Sequence, residues 1–262
     1  MRETVPTVHL LARPSVDLDG MRDYLEAVGG ASWLERRLEE AGGEPNPGEL
    51  LAEFAGRACY RSWEPGLNPN VTRVRTDRRE YFANILSSAH GSVLEHATYS
   101  FALHDVSRVF THELVRHRAG SAFSQESLRY VRLADVGFRV PPALEPLRDE
   151  VVSVVEQLEE LQRSAAERLG LDDDGVPFDV KKEVTSALRR LAPIGLSTSI
   201  VWTANVRTLR HVIEMRTAPG AEEELRLVFD RVAEVMTAEA PLLFQDFARD
   251  DTGAWVPQHR KV

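Results

Sequence analysis

Residues 111–132 read THELVRHRAGSAFSQESLRYVR, and the rest of the chain is organised around this stretch. It gathers Arg116, His117, Arg118, Arg129 and Arg132 around a loop of small and polar residues. A chain whose formal net charge is −9 has no general reason to concentrate arginines here. Because a guanidinium group is a planar fork of donors, arginine suits phosphates and flat, carbonyl-rich rings. The stretch therefore predicts an anion site, with a solvated helix surface as the alternative.

Composition is that of an ordinary globular protein. The chain has 262 residues, of which 43% are hydrophobic, enough for a sizeable core. A sequence pI near 5.5 argues against a protein that coats nucleic acid, although it leaves room for a local basic pocket. The first seventeen residues, MRETVPTVHLLARPSVD, have no long apolar core and no small-residue cleavage site, so we expect no signal peptide. No run approaches eighteen apolar residues, so we expect a cytoplasmic protein without membrane spans.

Hydrophobic periodicity and turn residues predict a helix-rich α+β chain. Strands are predicted over residues 5–12, 97–103, 127–133 and 194–204. Helices are predicted over residues 18–28, 31–41, 50–58, 76–88, 144–169, 178–191, 221–238 and 241–248, and after the N-caps Ser107 and Asn205. The strands are too scattered for a regular βαβ repeat, and no Gly-rich fingerprint follows a strand, so a Rossmann or P-loop fold has little support. The loops are short, and we expect a single domain over residues 1–262.

The histidines do not have the spacing of a metal site. His90 and His96 are six residues apart, and His112 and His117 are five apart. Neither pair has the i, i+4 spacing that places two ligands on one helix face. We therefore expect no metal, and each histidine alone is more typical of a hydrogen-bonded structural residue.

Nucleophilic catalysis has little support either. Cys59 is the one cysteine, and a free cysteine usually packs as a small buried hydrophobe, so we expect it to be buried and inert. Ser121, Ser124 or Ser127 would be a nucleophile with His117 as its base, but no Gly-x-Ser-x-Gly elbow is present. A loop hydroxyl is more often a hydrogen-bond donor to a ligand.

A second polar cluster, WTANVRTLRHVIEMR, occupies residues 202–216, and Arg189-Arg190 is a third basic group. Arg207 and His211 share one helix face, which is either a ligand site or an exposed basic surface. Glu95-His96 is equally open, as a structural pair or as an acceptor for ribose or ring N–H groups. Three separate arginine groups favour a multiply anionic ligand, such as a nucleotide monophosphate together with a dinucleotide cofactor.

Four segments resemble the flavin-dependent thymidylate synthases: HGSVLEH (90–96), HELVRHR (112–118), SQESLRYV (124–131) and WTANVRTL (202–209). That family shares an Arg-His-Arg followed seven residues later by Ser and then Arg-Tyr, and the resemblance spans about 57–225. It implies methylation of dUMP to dTMP with methylenetetrahydrofolate as one-carbon donor and FAD, reduced by NADPH, as hydride carrier. No enzyme nucleophile takes part. It also implies a mostly antiparallel sheet flanked by long helices, and a homotetramer whose active sites are shared between subunits.

The resemblance also implies site residues. The flavin site would comprise Ser62, His90, Ser92, Glu95, Arg116, His117, Arg118, Gln125, Asn205, Val206, Arg207 and His211. The dUMP site would comprise Glu113, Leu114, Val115, Arg116, Gln125, Glu126, Ser127, Leu128, Arg129, Arg189 and Arg216. Arg216 would be the catalytic residue, since a guanidinium beside the ring imide stabilises its ionised form and raises electron density at C5.

The chain departs from the family pattern at two places. Eight residues, not seven, separate Arg118 from Ser127, with the extra one within 119–123. Gly220 stands where some members carry a histidine that stacks on the flavin. The N-terminal part, about 1–48, has no match. A catalytically inactive flavin- or nucleotide-binding homologue is the alternative function, and the acidic net charge disfavours an RNA-binding module.

Overall fold

The computed structural model describes residues 1–42, 45–130, 137–171 and 173–262. The α-helices within these ranges are α1 (Leu18–Val28), α2 (Ala31–Ala41), α3 (Pro47–Tyr60), α4 (Arg78–Ser87), α5 (Arg108–Leu114), α6 (Arg148–Arg168), α7 (Phe178–Leu188), α8 (Val206–Thr217) and α9 (Glu223–Glu239). The strands are β1 (Arg2–Glu3), β2 (Thr7–Ala12), β3 (Thr98–Ser107), β4 (Ser121–Gln125), β5 (Gly137–Phe138), β6 (Ser197–Asn205), β7 (Phe247–Arg249) and β8 (Trp255–Pro257). Across these ranges, every helix is too short or too polar to cross a lipid bilayer.

A four-stranded antiparallel sheet in the order β2-β3-β6-β4 forms the centre of the fold. Trp202 of β6 lies opposite Phe101 of β3 on one side and Phe123 of β4 on the other. Trp202 and Phe101 are fully buried, and the Trp202 ring meets the ring of Phe229 on α9 edge-on at 5.6 Å. Burying one such side chain contributes about 1.5–3 kcal/mol, so the sheet and the helices against it form a rigid support.

Helices α8 and α9 belong to this core. Leu209 and Ile213 of α8 are completely buried with Phe229 of α9 in the same hydrophobic cluster as the sheet residues. Residues at i, i+3 and i+4 share one face of a helix, so Arg207, His211 and Glu214 lie together on another face of α8, away from this core. Arg210, in contrast, is buried. This arrangement fixes the position of the basic cluster at 202–216. The prediction of a helix-rich α+β fold with an antiparallel sheet is confirmed.

Both predicted helix caps are present. The Ser107 hydroxyl accepts a hydrogen bond from the Phe110 N–H at 3.1 Å, and the Asn205 side-chain oxygen accepts one from the Thr208 N–H at 2.9 Å. Each cap satisfies a backbone donor that the first turn of a helix leaves without a partner. Because β3 and β6 run antiparallel, with Ser107 opposite Ser197 and Thr98 opposite Asn205, the two caps lie at opposite ends of these strands. The chain after α5 returns to the start of α8, where the Asn205 N–H donates to the Gly120 carbonyl at 3.1 Å, and this return brings the two basic clusters together.

The predicted strand over 127–133 is wrong where the structure describes it. Residues 128–130 form a turn, closed by a hydrogen bond from the Tyr130 N–H to the Ser127 carbonyl at 3.0 Å. Residues 131–133, with Arg132, lie outside the described residues. The strand comes earlier, as β4, because pairing with β6 outweighs the low strand propensity of Ser121–Gln125.

The predicted helix at 241–248 is also wrong. Turns are followed by β7, which pairs with β8 in a hairpin. The Asp250 carboxylate accepts hydrogen bonds from the N–H groups of Thr252 and Ala254, and Gly253 has a φ of 84°. Side-chain bonds of this kind build a tight turn, so local turn chemistry decides the structure over the helical spacing of the apolar residues.

Cys59 is exposed, so the prediction that it is buried is wrong. Glu53 and Arg57 define the inward face of α3, with 0% and 1% exposure. Cys59 follows Arg57 by two residues, or about 200° around a helix, which turns it to the opposite face.

Candidate active site

A cavity of about 620 Å³ opens beside the N-terminal half of α8. Its basic side chains are Arg116, Arg118, Arg207, Arg210 and Arg260, with His117, His211 and His259. Glu95, Glu214 and Asn205 also line it. We call it the flavin-side cavity, because most residues predicted from the first motif and from the 202–216 cluster meet here. Arg207, His211 and Glu214 reach it together because they lie three or four residues apart on one face of α8.

The turn after Arg118 docks against the start of α8. Gly120 has a φ of 65°, and a Cβ on it would lie 2.3 Å from Nδ2 of Asn205 and 2.5 Å from Oγ1 of Thr208. The Thr208 hydroxyl donates to the Ala119 carbonyl at 2.7 Å, and the Asn205 N–H donates to the Gly120 carbonyl at 3.1 Å. Only glycine combines this left-handed backbone with so close an approach. Residues 119–123, which hold the extra residue, form this turn and the start of β4.

The residues of the cavity fit a flavin dinucleotide. The volume of about 620 Å³ lies within the range of small-molecule sites. Arg116 and Arg118 make no ion pair with any carboxylate within the described ranges, so their charges face the cavity without a counter-ion. Arg207 donates to Glu95 at 2.6 Å. A diphosphate group needs several such cations, whereas an uncharged ligand would not.

Arg216 lies beside the flavin-side cavity and contacts two residues from the first half of the 111–132 stretch. Its Nε donates to Nε2 of His117 at 2.9 Å, and its Nη1 donates to the Glu113 carboxylate at 2.7 Å. The Arg216 side chain is only 15% exposed. A guanidinium held from two sides is fixed in orientation before a ligand arrives, which is the condition for electrostatic catalysis by a preorganised group.

His117 is a neutral imidazole in this arrangement. Burial, the charge of Arg216 and the neighbouring His211 lower the pKa of His117 to about 4, against the opposing effect of Glu113. Its Nε2 accepts the hydrogen bond from Arg216, so we assign the ring proton to Nδ1. The His117 ring also makes a T-shaped contact with the ring of His211 on α8, with 6.1 Å between the ring centroids. Together the two rings form a polar layer beside Arg216.

A second cavity of about 450 Å³ lies next to β4. It is lined by Arg108, Gln125, Glu126, Ser127, Leu128, Arg189 and Arg190. The Arg108 Nη2 donates to the Glu126 carbonyl at 3.0 Å, and its Nε is buried without a hydrogen-bond partner in the described part of the chain. Burial lowers the pKa of Arg108 from its ordinary value. Three arginines around one cavity have the chemistry that suits a phosphate monoester.

The sequence of the chain matches a family of known proteins. The sequence model of the Thymidylate synthase complementing protein family matches residues 44–242. The chain is 37% identical over 206 residues to the flavin-dependent thymidylate synthase of Mycolicibacterium gilvum, and 38% identical over 206 residues to that of Mycobacteroides abscessus. Each alignment covers 76% of this chain and 80% of the relative. The chain belongs to the flavin-dependent thymidylate synthase family.

A solved structure supports the fold of the family. Thymidylate synthase X from Helicobacter pylori, crystallised with FAD and dUMP, superposes with a TM-score of 0.55. The superposition covers 76% of this chain and 93% of that chain, at 22% sequence identity. The family fold is thus preserved at low identity.

The structure brings part of the predicted flavin set together. Glu95, Arg116, His117, Arg118, Asn205, Arg207 and His211 line the flavin-side cavity. Val206 is completely buried, and Gln125 lines the second cavity instead. His90 stacks on Tyr60 with ring centroids 5.8 Å apart. Ser62 uses its carbonyl to bind Arg57, and Ser92 is exposed, so these residues do not reach the cavity within one chain.

The predicted dUMP set is divided between two places. Gln125, Glu126, Ser127, Leu128 and Arg189 line the second cavity, whereas Glu113 and Arg216 pair beside the flavin-side cavity. Leu114 is fully buried, Val115 packs against the main core, and Arg129 is exposed. A Cβ at Gly220 would meet no atom within 4 Å, so open space surrounds that position.

Sequence reasoning missed Arg108 and the lining residues of the last segment, His259 and Arg260. Arg108 had a usable signal, because it directly follows the cap Ser107 and lies on the helix that carries the first motif. His259 and Arg260 had no such signal, because they follow the β7–β8 hairpin, and the sequence predicted a helix at 241–248 in this region.

Proposed function

We propose that the protein converts dUMP to dTMP, taking the one-carbon unit from methylenetetrahydrofolate. FAD is its cofactor, and once reduced by NADPH it supplies the hydride. The arrangement of Arg216 between His117 and Glu113 carries the proposal, because the family resemblance implies a catalytic arginine at this position. Arg216 beside the imide of the uracil ring favours its ionised form, and the resulting electron density at C5 attacks the one-carbon unit.

The flavin-side cavity is the proposed FAD site. Arg116, Arg118 and Arg207 supply cations for the diphosphate, and the Gly120 turn gives the cofactor access to backbone close to α8. His117 and His211 form the polar layer between FAD and Arg216. The resemblance to the family also assigns to the FAD site four residues that do not line this cavity: Ser62, His90, Ser92 and Val206. It assigns Gln125 to the place where FAD and the nucleotide meet.

The second cavity is the proposed site for the phosphate and sugar of dUMP. Arg189 faces it together with Arg108, and Gln125 and Ser127 supply uncharged hydrogen-bonding groups. Glu126 and Leu128 line the same cavity, and Arg129 follows Leu128 in the sequence. Glu113, with Leu114, Val115 and Arg116, connects this site to Arg216 along α5 and the turn that follows it.

We further propose a single domain that assembles into a cytoplasmic homotetramer with active sites shared between subunits. Large apolar side chains remain exposed on α6 and α7, among them Val154, Leu161 and Phe178. Exposed apolar surface of this kind is typical of a subunit interface. Sharing would also give Ser92 and Arg129, which face outward in one chain, a ligand to contact.

A tritium-release assay tests the function. Protein purified with FAD should be yellow, and NADPH should bleach its flavin absorbance. Release of tritium from 5-³H-dUMP should then require both methylenetetrahydrofolate and NADPH. A flavin-loaded protein that releases no tritium would instead be the inactive homologue, and a protein that takes up no FAD would exclude both functions.

A further inference from the structure

The segment Pro257–Val262 forms one wall of the flavin-side cavity. Pro257, His259, Arg260 and Val262 all line it. The match to the family ends at residue 242, so the motifs of the family assign no role to this segment. It nevertheless lines the same cavity as Arg116 and Arg118, in which FAD is proposed to bind.

The segment is fixed to α8 by a buried ion pair. Arg210 donates to both oxygens of Asp246 at 2.8 and 3.0 Å, and these side chains are 4% and 5% exposed. The Gln258 N–H donates to the Asp246 carbonyl at 2.9 Å, and the His259 N–H donates to its carboxylate at 3.1 Å. A bidentate, buried pair holds a well-defined geometry, so the segment belongs to the cavity wall.

The far end of the segment rests against the second motif of the chain. The Arg207 Nε donates to the Val262 backbone oxygen at 3.2 Å. A Cβ on Gly91 would lie 2.4 Å from the Val262 carbonyl carbon and 2.7 Å from the Arg207 Nε. Any larger residue than glycine at 91 would therefore displace the segment, which shows that motif and segment are fitted to each other.

Arg260 is the cation that this wall presents to the cavity. Its Nε lies 3.1 Å from Glu214 Oε1 in an ion pair, and its side chain is 66% exposed. Over the described ranges none of its N–H groups makes a hydrogen bond with the protein. In contrast, Arg207 and Arg210 already donate to acidic or carbonyl oxygens. The ion pair orients the Arg260 guanidinium, and its donors are available to an anion.

We propose that the 257–262 segment is part of the FAD site and that Arg260 binds the diphosphate of the cofactor. The inference rests on the proposed function, because it takes FAD as the occupant of the cavity. The two terminal nitrogens of a guanidinium match two oxygens of a phosphate, a geometry that lysine does not reproduce.

Titration of flavin-free protein with FAD, followed by quenching of flavin fluorescence, tests the proposal. Arg260→Ala should bind FAD roughly tenfold more weakly, the scale of a lost hydrogen-bonded charge contact, and Arg260→Lys should fall between it and the wild type. Arg249→Ala is the matched control. Arg249 lies on the β7–β8 hairpin that precedes the segment and pairs with Asp230 and Glu234, so its replacement should leave FAD affinity unchanged.

The possible outcomes distinguish a failure of the Arg260 proposal from a failure of the proposed function. If Arg260→Ala binds FAD as tightly as Arg249→Ala, Arg260 does not contact the cofactor and the inference fails alone. If the wild type binds no FAD, the proposed function fails first. Equal thermal midpoints of the flavin-free variants would show that weaker binding does not come from loss of folding, and Arg260→Lys gives a second measure should Arg260→Ala be unstable.

Discussion

Arg216 illustrates how single residues prepare this site for chemistry. Its hydrogen bonds to His117 and Glu113 fix the guanidinium in one orientation. We expect Arg216→Ala to lower kcat by about 10² or more, the scale for removal of one preorganised charge-stabilising donor, while FAD affinity stays near that of the wild type. Steady-state tritium release at saturating substrate concentrations and FAD titration measure the two quantities.

The matched control for this prediction is Arg226→Ala, because Arg226 is an exposed arginine on α9 that lines neither cavity. It should keep full turnover. Near-normal turnover of Arg216→Ala would refute the role assigned to the residue.

The low pKa of the single residue His117 predicts that the stability of the protein depends on pH. Its pKa is about 4 in the folded protein, below the ordinary value of 6.5. Between those values the unfolded chain binds a proton on this ring that the native state does not, so this ring's contribution to stability falls as pH falls through that window. The groups that face the ring are Arg216, His211 and Glu113.

The measurement compares urea midpoints of the wild type and His117→Gln at about pH 7.5 and about pH 5. Glutamine keeps a hydrogen-bond acceptor for Arg216 but has no proton to gain. We expect acidification to lower the urea midpoint of the wild type by more than that of His117→Gln. An identical loss in both proteins would contradict a depressed His117 pKa.

Among the secondary-structure elements, we expect the largest loss of stability from a substitution in helix α3. Glu53, which is completely buried, accepts hydrogen bonds from Arg37 on α2, Arg57 on α3 and Arg78 on α4. Burial alone would raise the pKa of Glu53, but the charges of these arginines lower it below its ordinary value. One carboxylate therefore joins three helices.

Glu53→Gln should lower the free energy of unfolding by about 3–5 kcal/mol, because it leaves buried arginines without their counter-ion. Glu40→Gln is the control. Glu40 also pairs with Arg37, at 2.6 Å, but its side chain is 52% exposed, so the change should be below about 1 kcal/mol. Urea denaturation of both variants measures the difference, and equal effects would show that Glu53 does not join the helices.

Elements with strong local signals were predictable from the sequence, and elements set by distant partners were not. The predicted ranges 18–28 and 31–41 coincide with α1 and α2, and the caps at Ser107 and Asn205 hold. Strand β4, SAFSQ, has only one large apolar residue, Phe123, and exists because β6 pairs with it. The β7–β8 hairpin depends on side-chain bonds to Asp250, which apolar periodicity does not register.

The whole molecule explains why only part of the site followed from the sequence. Motifs place Arg116, His117 and Arg118 near Asn205 and Arg207, and the fold brings them to one cavity. The chain segment with Arg260 reaches the same cavity through the Arg210–Asp246 pair, a contact between residues 36 positions apart that no local pattern reveals. The separation of the dUMP residues at the second cavity from the Glu113–Arg216 pair is likewise a property of the folded chain.

That division leads to a prediction about the assembled protein. If active sites combine residues of different subunits, Arg216→Ala and Arg189→Ala subunits mixed in equal amounts should regain activity, because some sites then receive both arginines intact. With random mixing and one arginine from each of two subunits, about a quarter of the wild-type activity should return.

Each variant alone, taken through the same dissociation and reassembly, is the control and should stay inactive. Native mass spectrometry would verify that mixed tetramers form. Mixed tetramers without regained turnover would mean that Arg189 and Arg216 serve one site from the same chain. The Glu113–Arg216 pair would then have to open or shift to bring that arginine to a nucleotide bound at the second cavity, since the two arginines line different parts of the folded subunit.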